Sequence, residues 1–221
     1  YAPTDFSNFP YAKLSAFSAP LGVNERTEIR EYVWPSDSFV RETAVIDGRV
    51  WVDDIERNRI GWLDQITGAY HWYDVPLLGA SAPHTLVPGK DGHLWVSLLG
   101  TDGQMAARFD TRNFEWRIYD GFPTGIMAHD LSPGRAYQMT FDANGFAWLT
   151  VISHNQTVGF NRDTGEVTPI YDLPVPDGEL PGHVAVYGGA MTSDGNFWYA
   201  QYFGDVGRFN TTTRTVDHIV S

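Results

Sequence analysis

Several residues of this sequence could transfer protons, and they stand at the start of short apolar segments. His84 lies in SAPHTLV, Tyr137 lies in GRAYQMT, and His183 immediately precedes VAVYGGA. An imidazole that a carboxylate holds in place can act as a base near neutral pH, and tyrosine can also transfer a proton. If the protein is an enzyme, we expect His84, His183 and Tyr137 to be its catalytic residues.

Other polar residues in or near the same segments could bind a small ligand. Tyr187 holds roughly the place in its segment that Tyr137 holds in GRAYQMT, and Arg41 and Glu42 stand in an earlier segment, FVRETAV. Two alternatives stay open: the inner residues fill a wet channel through bound water, and the loop histidines are ordinary solvated residues. The predicted ligand-binding residues are Tyr187, Arg41, Glu42, Arg135, His129 and Asp130.

The run WVDDIERN gathers three acidic residues, Asp53, Asp54 and Glu56. Calcium binds carboxylate oxygens, but the spacing is not that of an EF-hand loop. In an extended chain, Asp53 and Asp54 would also point to opposite faces. We therefore expect a solvated hairpin loop here, with a calcium site as the alternative.

The composition excludes several functions. The net charge of −12 is spread along the chain, whereas phosphate binding needs clustered lysine and arginine, so we expect no nucleic-acid partner. No apolar run approaches the roughly 20 residues of a membrane helix, so we expect no membrane span. The absence of cysteine excludes disulfides and thiolate chemistry. Because the chain also begins with Tyr1 and not Met, we expect a processed protein that is secreted or periplasmic.

The elements that must position these residues follow from a repeat. Four segments share an Asx-Gly turn, a tryptophan three residues after its glycine, a polar loop and a second pair of strands. Asx-Gly favours tight hairpins, and a repeat of this length with four short strands is typical of β-propeller blades. We expect the four tryptophans to fill the gaps between neighbouring blades: Trp51, Trp95, Trp148 and Trp198.

The repeat predicts an all-β propeller with four full blades, approximately residues 38–76, 84–123, 135–174 and 184–221. Residues 1–37 would contribute the outer part of an incomplete first blade, because TEIREYVWP matches the outermost strand AYHWYDVP. Four blades and part of a fifth do not make a closed ring. We expect a piece of a larger ring, or a protein partner that completes it. The alternative is a self-closing five-bladed ring in which residues 1–20 supply the missing strands.

The segments GRVWV…NRIGWLDQITGAYHWYDVP and GFAWLT…HNQTVGFNRDTGEVTPIYDLP resemble the repeat of the streptogramin (virginiamycin B) lyase-like propellers. The resemblance spans residues 38 to 221. It implies a scaffold related to a seven-bladed, Mg²⁺-dependent lyase that opens a cyclic depsipeptide by elimination. In that family an acid often stands three positions after the blade tryptophan, and here Asp54 does so. The resemblance therefore implies Asp54 as the metal ligand, with Mg²⁺ or Ca²⁺ as the ion.

Two functions follow from these observations. The first is a binding or assembly module of an exported protein, which presents the loop face at the channel mouth to a small ligand or a protein partner. The second is a metal-assisted lyase or hydrolase of the streptogramin-lyase type. In that case His84, His183 and Tyr137 would transfer protons, and Asp54 or Glu42 would contact the metal. The incomplete ring and the single acid at the family position favour the first.

Overall fold

The computed structural model describes residues 32, 35, 37–77, 81–100, 103–122, 135–175, 178–179, 184–202 and 206–219. All of the strands described here belong to one compact unit, Trp34–Ser221. The predicted outer strand within residues 1–37 lies almost wholly outside the described residues, as does the five-bladed alternative that depends on residues 1–20.

The described chain forms four antiparallel sheets of four strands each, and in every sheet the strands follow in chain order. Sheet 1 contains β1 (Thr43–Ile46), β2 (Arg49–Asp54), β3 (Arg59–Leu63) and β4 (Tyr70–Asp74). Sheet 2 contains β5 (Pro83–Pro88), β6 (His93–Leu98), β7 (Ala106–Asp110) and β8 (Trp116–Tyr119). Sheet 3 contains β9 (Ala136–Phe141), β10 (Phe146–Val151), β11 (Gln156–Asn161) and β12 (Val167–Asp172), with a short 3-10 helix, Ile152–His154, before β11. Sheet 4 contains β13 (Val186–Met191), β14 (Asn196–Gln201), β15 (Val206–Asn210) and β16 (Thr215–Ile219).

The sheets pack in chain order, sheet 1 on sheet 2, sheet 2 on sheet 3 and sheet 3 on sheet 4. Their first strands, β1, β5, β9 and β13, lie next to one another and form the inner edge of the series. Within the described residues the series does not close into a ring. The predicted all-β architecture is thus confirmed, in the form of a partial propeller.

Two kinds of turn set the hairpins of each sheet. Between β1 and β2, Asp47 and Gly48 have φ angles of 50° and 73°, the left-handed pair that a tight hairpin requires. Between β3 and β4, Asp64 Oδ1 accepts hydrogen bonds from the backbone of Ile66 and Thr67, which fixes the turn. In sheets 2, 3 and 4, the turn between the third and fourth strands is fixed in the same way by an Asx side chain: Asp110, Asn161 and Asn210.

Three repeated aromatic contacts hold neighbouring sheets together. The ring centroids of Trp51 in β2 and Phe109 in sheet 2 lie 5.5 Å apart, and Tyr73 in β4 packs against the same Phe109 at 5.1 Å. Trp95 and Tyr119 contact Phe160 at 6.1 and 4.7 Å. Trp148 and Tyr171 contact Phe209, both at 5.0 Å. Because large aromatic rings bury much apolar area, these triads form the centre of each interface between sheets.

The four tryptophans do not all end in the core. Trp51, Trp95 and Trp148 are at most 1% exposed, as predicted, whereas Trp198 in β14 is only partly buried. Trp198 occupies the same place in its sheet, on the face directed away from sheet 3. No described sheet covers that face, so the prediction of four equivalent core tryptophans is wrong for Trp198.

Candidate functional site

The predicted inner residues meet where the inner strands begin. Arg41 precedes β1, His84 and Tyr137 are the second residues of β5 and β9, and Tyr187 is the second residue of β13. Because these strands lie side by side, their first residues are neighbours although they are far apart in sequence. We call Arg41, His84, Tyr137 and Tyr187 the inner-strand cluster.

The side chains of the inner-strand cluster are in direct contact. The ring centroids of His84 and Tyr137 lie 4.0 Å apart, and those of Tyr137 and Tyr187 lie 4.4 Å apart. Arg41 donates from Nη2 to the hydroxyl oxygen of Tyr187 at 2.7 Å and also to that of Tyr137. Its guanidinium carbon lies 5.2 Å from the centroid of the Tyr137 ring, within cation–π range. One guanidinium from the start of sheet 1 therefore joins tyrosines of sheets 3 and 4.

Exposure increases from one side of the cluster to the other. His84 is fully buried, Tyr137 is 7% exposed, Tyr187 is half-buried, and Arg41 is exposed. Beside Tyr187, the exposed Tyr202 approaches edge to face, with centroids 5.2 Å apart. A ligand would therefore first meet the guanidinium of Arg41 and the rings of Tyr187 and Tyr202, with Tyr137 and His84 behind them.

Arg41 carries the positive charge of the cluster. Burial, with a smaller contribution from the Arg41 charge, lowers the pKa of His84 to about 4, so its imidazole is neutral near pH 7. Burial and the hydrogen bond with Tyr187 raise the pKa of Tyr137, which keeps its hydroxyl protonated. Burial also raises the pKa of Glu42, against the lowering effect of Arg41. The cluster can thus donate hydrogen bonds and stack on a ring, but His84 is a weak base at neutral pH.

A second layer of polar residues, which was not predicted from the sequence, fixes the start of the inner strands. In sheet 2, Ser97 Oγ accepts from the backbone N–H of Thr85 at 3.0 Å and donates to the carbonyl of Tyr137 in sheet 3 at 2.8 Å. In sheet 3, Thr150 Oγ1 accepts from the N–H of Gln138 at 3.0 Å and donates to the carbonyl of Tyr187 in sheet 4 at 3.4 Å. These hydroxyls hold the neighbouring strands at a fixed height and so position the cluster.

Asp53 takes the corresponding place in sheet 1. Its Oδ1 accepts from the backbone N–H groups of Arg41 and Glu42, at 3.1 and 2.7 Å. The signal in the sequence is a polar residue two positions after each of three blade tryptophans: Asp53, Ser97 and Thr150. In sheet 4 this place is held by Ala200, which is exposed.

The expectation of a solvated acidic loop at residues 51–58 is wrong for Asp53 and Asp54. Strand β2 extends through Asp54, and both carboxylates are fully buried. Asp54 Oδ1 accepts from the N–H of Phe39 at 3.0 Å, and its Oδ2 is paired with Arg59 Nε at 2.9 Å. Burial raises the pKa of Asp53 to about 7.

The other predicted residues lie elsewhere or outside the described chain. Arg135 is exposed immediately before β9, and its backbone N–H donates to Ser153 Oγ at 3.2 Å. His129, Asp130 and His183 lie outside the described residues. Among the residues that the structure describes, no group of three or more His, Cys, Asp or Glu side chains is arranged to hold a metal ion. Since both Asp54 oxygens have partners, Mg²⁺ or Ca²⁺ binding at Asp54 would have to displace Arg59, and it stays a prediction.

A cleft of about 610 Å³ opens at the opposite ends of the inner strands. Two of its charged residues are used to hold nearby backbone and ring groups. Asp142 Oδ2 accepts from Trp148 Nε1 at 3.0 Å, and Arg162 Nε donates to the carbonyl of Gly145 at 3.2 Å. Asp142 and Arg162 therefore serve the fold.

Comparison with solved structures places the fold. Virginiamycin B lyase from Staphylococcus aureus superposes with a TM-score of 0.70 at 22% identity, covering 89% of this chain and 61% of that chain. A catalytically inactive form of the S. aureus enzyme with quinupristin gives 0.64 at 21% identity, covering 82% and 55%. The extracellular domain of a one component system from B. thetaiotaomicron gives 0.62 at 15% identity, covering 88% and 24%.

These likenesses confirm the predicted relationship to the streptogramin lyase fold, and at such identities they show the fold alone. The chain spans about three fifths of the length of the lyases that it matches. No protein-family model matches the sequence. No curated protein matches it either. No helix long and apolar enough to cross a membrane occurs in the described part of the chain.

Proposed function

We propose that this chain is a propeller binding module that presents the inner-strand cluster to a small cyclic ligand. The observation that carries the proposal is the guanidinium of Arg41, which is hydrogen-bonded to the hydroxyls of two tyrosines from two other sheets. A charged donor held in this way is pre-organised, so little side-chain entropy is lost when a ligand binds.

The chemistry of the cluster indicates the class of ligand. The exposed tyrosine rings offer flat apolar surface, which suits a ring or an aromatic side chain. Arg41 offers donors to a carbonyl or a carboxylate, and it is a planar group that pairs well with such acceptors. His84 and Tyr137 are both neutral, so they add no charge to that of Arg41. A cyclic ligand with several ring carbonyls meets all of these conditions.

Quinupristin, which the inactive lyase carries, is a suitable probe. We expect the chain to bind it in isothermal titration calorimetry, and we expect Arg41→Gln to weaken binding about tenfold or more, because a charge-assisted hydrogen bond contributes roughly 1.5–3 kcal/mol. Arg112→Gln is the matched control, since Arg112 is exposed in the turn between β7 and β8, where it pairs with Asp110. Binding that is absent at millimolar quinupristin, or equal in both variants, would contradict the proposal.

A metal-assisted lyase or hydrolase is the second candidate. The packing of the His84 ring on the Tyr137 ring, with centroids 4.0 Å apart, favours it, because both side chains can transfer protons. Here His84, His183 and Tyr137 would transfer protons, and Asp54 or Glu42 would contact Mg²⁺ or Ca²⁺. The low pKa of His84 and the pairing of Asp54 with Arg59 count against it.

The two candidates are separated by the fate of the probe. The chain is incubated with quinupristin and Mg²⁺ or Ca²⁺ and the product is analysed by chromatography and mass spectrometry. A lyase gives a linear isomer of unchanged mass, and a hydrolase adds one water. A binding module returns the intact probe. The His84→Ala, His183→Ala double variant should abolish turnover if the second candidate is right.

The proposed function also covers the protein's partner and its location in the cell. The sheets of the described residues form an open series, and we propose that further blades, or a protein partner that supplies them, complete the ring. We propose an exported, secreted or periplasmic protein, and the fold shared with an extracellular domain supports this. Cell fractionation of the native host with an antibody to the chain tests it, and recovery in the cytoplasm would contradict it.

A further inference from the structure

The outward face of sheet 4 carries the side chains that other sheets use to pack on their neighbours. We call Trp198, Ala200, Val206, Arg208 and Asp217 the open face. Trp198, Arg208 and Asp217 are directly opposite one another on β14, β15 and β16. Arg208 lies over the Trp198 ring at 5.8 Å and donates from Nε to Asp217 Oδ2 at 3.1 Å. Val206, on the same face, is 40% exposed.

The same arrangement is buried in sheet 2. Trp95 is directly opposite Arg108, and the guanidinium of Arg108 lies 5.8 Å from the Trp95 ring, the same distance as in sheet 4. Trp95 is 1% exposed because sheet 3 covers it. A tryptophan–arginine pair is therefore compatible with a covering sheet in this fold.

The three buried interfaces also show what covers such a face. In each of them, a phenylalanine from the third strand of the next sheet receives the tryptophan: Phe109, Phe160 and Phe209. Among the described residues, Trp198 has no aromatic ring contact of this kind. In all three interfaces the tryptophan comes from the second strand of one sheet and the phenylalanine from the third strand of the next. The repeat therefore predicts that a phenylalanine or a similar ring on a third strand would cover Trp198.

We propose that the open face of sheet 4 is the docking surface for a further four-stranded blade that presents an aromatic side chain from its third strand to Trp198. It rests on one part of the proposed function, namely that further blades or a protein partner complete the ring. It does not depend on what the inner-strand cluster binds. The hydroxyl that links the other inner strands is missing at Ala200, so docking relies on the aromatic contact.

Two fusions test the proposal, each keeping the full chain and adding a blade after Ser221. One adds a second copy of residues 77–122, whose Phe109 receives Trp51, and the other adds a second copy of residues 123–175, whose Phe160 receives Trp95. Hydroxyl-radical footprinting with peptide mass spectrometry reports the reactivity of Trp198, whose peptide occurs once. We expect Trp198 to be far more reactive than Trp148 in the unfused chain and to fall to the level of Trp148 in at least one fusion.

The matched controls are the same fusions with Phe109→Ala or Phe160→Ala in the added copy. Without the ring the indole loses its aromatic contact and a cavity is left at the interface, so docking should weaken and Trp198 should stay reactive. Arg41→Gln in the fusion should leave the footprint unchanged, which separates this proposal from the binding proposal.

Three results would overturn the proposal. Trp198 could stay fully reactive in both fusions, or it could be as protected as Trp148 in the unfused monomer. Thirdly, protection in the unfused chain could rise with concentration in step with a dimer mass in sedimentation equilibrium, which would make a second copy the occupant.

Discussion

His84 and Asp53, two buried ionisable side chains near the inner strands, have pKa values shifted in the direction that favours the uncharged form. Burial lowers the pKa of His84 to about 4 and raises that of Asp53 to about 7. Both shifts arise because a charge loses its hydration when it is buried. Since a shifted pKa links proton binding to folding, each residue makes the stability depend on pH, with opposite signs.

His84 should destabilise the fold in acid. Its pKa is about 6.5 in an unfolded chain and about 4 when folded, so the stability that its neutral form supports is lost as the pH falls from about 6.5 toward 4. The change is on the order of 3 kcal/mol at most. We expect His84→Gln to gain stability relative to the unsubstituted protein over this range, measured by urea unfolding at several pH values. An unchanged difference between the two proteins across the range would contradict this.

Asp53 should act in the other direction. A carboxyl whose folded pKa is raised contributes stability below its unfolded value, near pH 4, and loses it as the pH rises through about 7. Asp53→Asn keeps the acceptor for the N–H groups of Arg41 and Glu42 but cannot ionise. We therefore expect the variant to gain stability relative to the unsubstituted protein as the pH rises from 4 to 8, in the same unfolding assay. Asp64→Asn, at an exposed turn, is the control that should not gain in this way.

Among the elements, strands β6 and β10 do more than pair with their neighbours. Ser97 and Thr150 each connect two inner strands from adjacent sheets. Hydroxyls on the second strand therefore set the position of each of these inner strands relative to the next, and with it the position of the cluster residues. Packing of apolar side chains alone would permit small slips between sheets, whereas a hydrogen bond to a backbone carbonyl fixes one position.

Thr150→Val should separate this positioning role from packing. Valine has the shape of threonine but leaves the N–H of Gln138 and the carbonyl of Tyr187 without this partner, which costs about 1–3 kcal/mol for buried groups. We expect lower stability in urea unfolding and weaker quinupristin binding. Thr150→Ser, which keeps the hydroxyl, should retain most of both. Equal losses in the two variants would show that the methyl group, and not the hydroxyl, matters.

Much of this element-level organisation could be predicted from the sequence. The Asx-Gly turns and the tryptophan spacing depend on local chemistry, so they indicated the strands and the propeller architecture. Counting positions along the repeat matched Tyr137 with Tyr187, but it did not fix the register of Arg41 in the first blade. The burial of Asp53 and Asp54 did not, because an acidic run looks like a loop until Arg59 and the backbone donors are placed beside it. Likewise, Trp198 has the same sequence spacing as the three buried tryptophans. Its exposure depends on whether a neighbouring sheet covers it, which the local sequence does not show.

For the whole molecule, stability should vary along the series of sheets. The strands of each sheet pack mainly on the sheets next to it, as in repeat proteins, where the ends have fewer interfaces than the middle. Sheets 2 and 3 are covered by described sheets on both faces, whereas sheet 4 has its open face.

Hydrogen exchange should report this gradient. We expect the amides of β14 in sheet 4 to exchange faster than the equivalent amides of β10 in sheet 3, because opening the end sheet breaks one interface and opening the middle sheet breaks two. The measurement is native-state exchange followed by mass spectrometry, with Trp148→Ala as a control that should speed exchange in both strands. Uniform exchange across all four sheets would contradict the gradient.

The hydrogen bond from Arg41 to Tyr187 joins residues 146 positions apart. A growing polypeptide therefore cannot form the inner-strand cluster until β13 has been synthesised, and a chain that is cut or stalled earlier has only part of it. If the cluster binds a ligand as proposed, ligand capture would distinguish chains that contain β13 from chains that end before it. An affinity column bearing the ligand would retain the first and let the second pass.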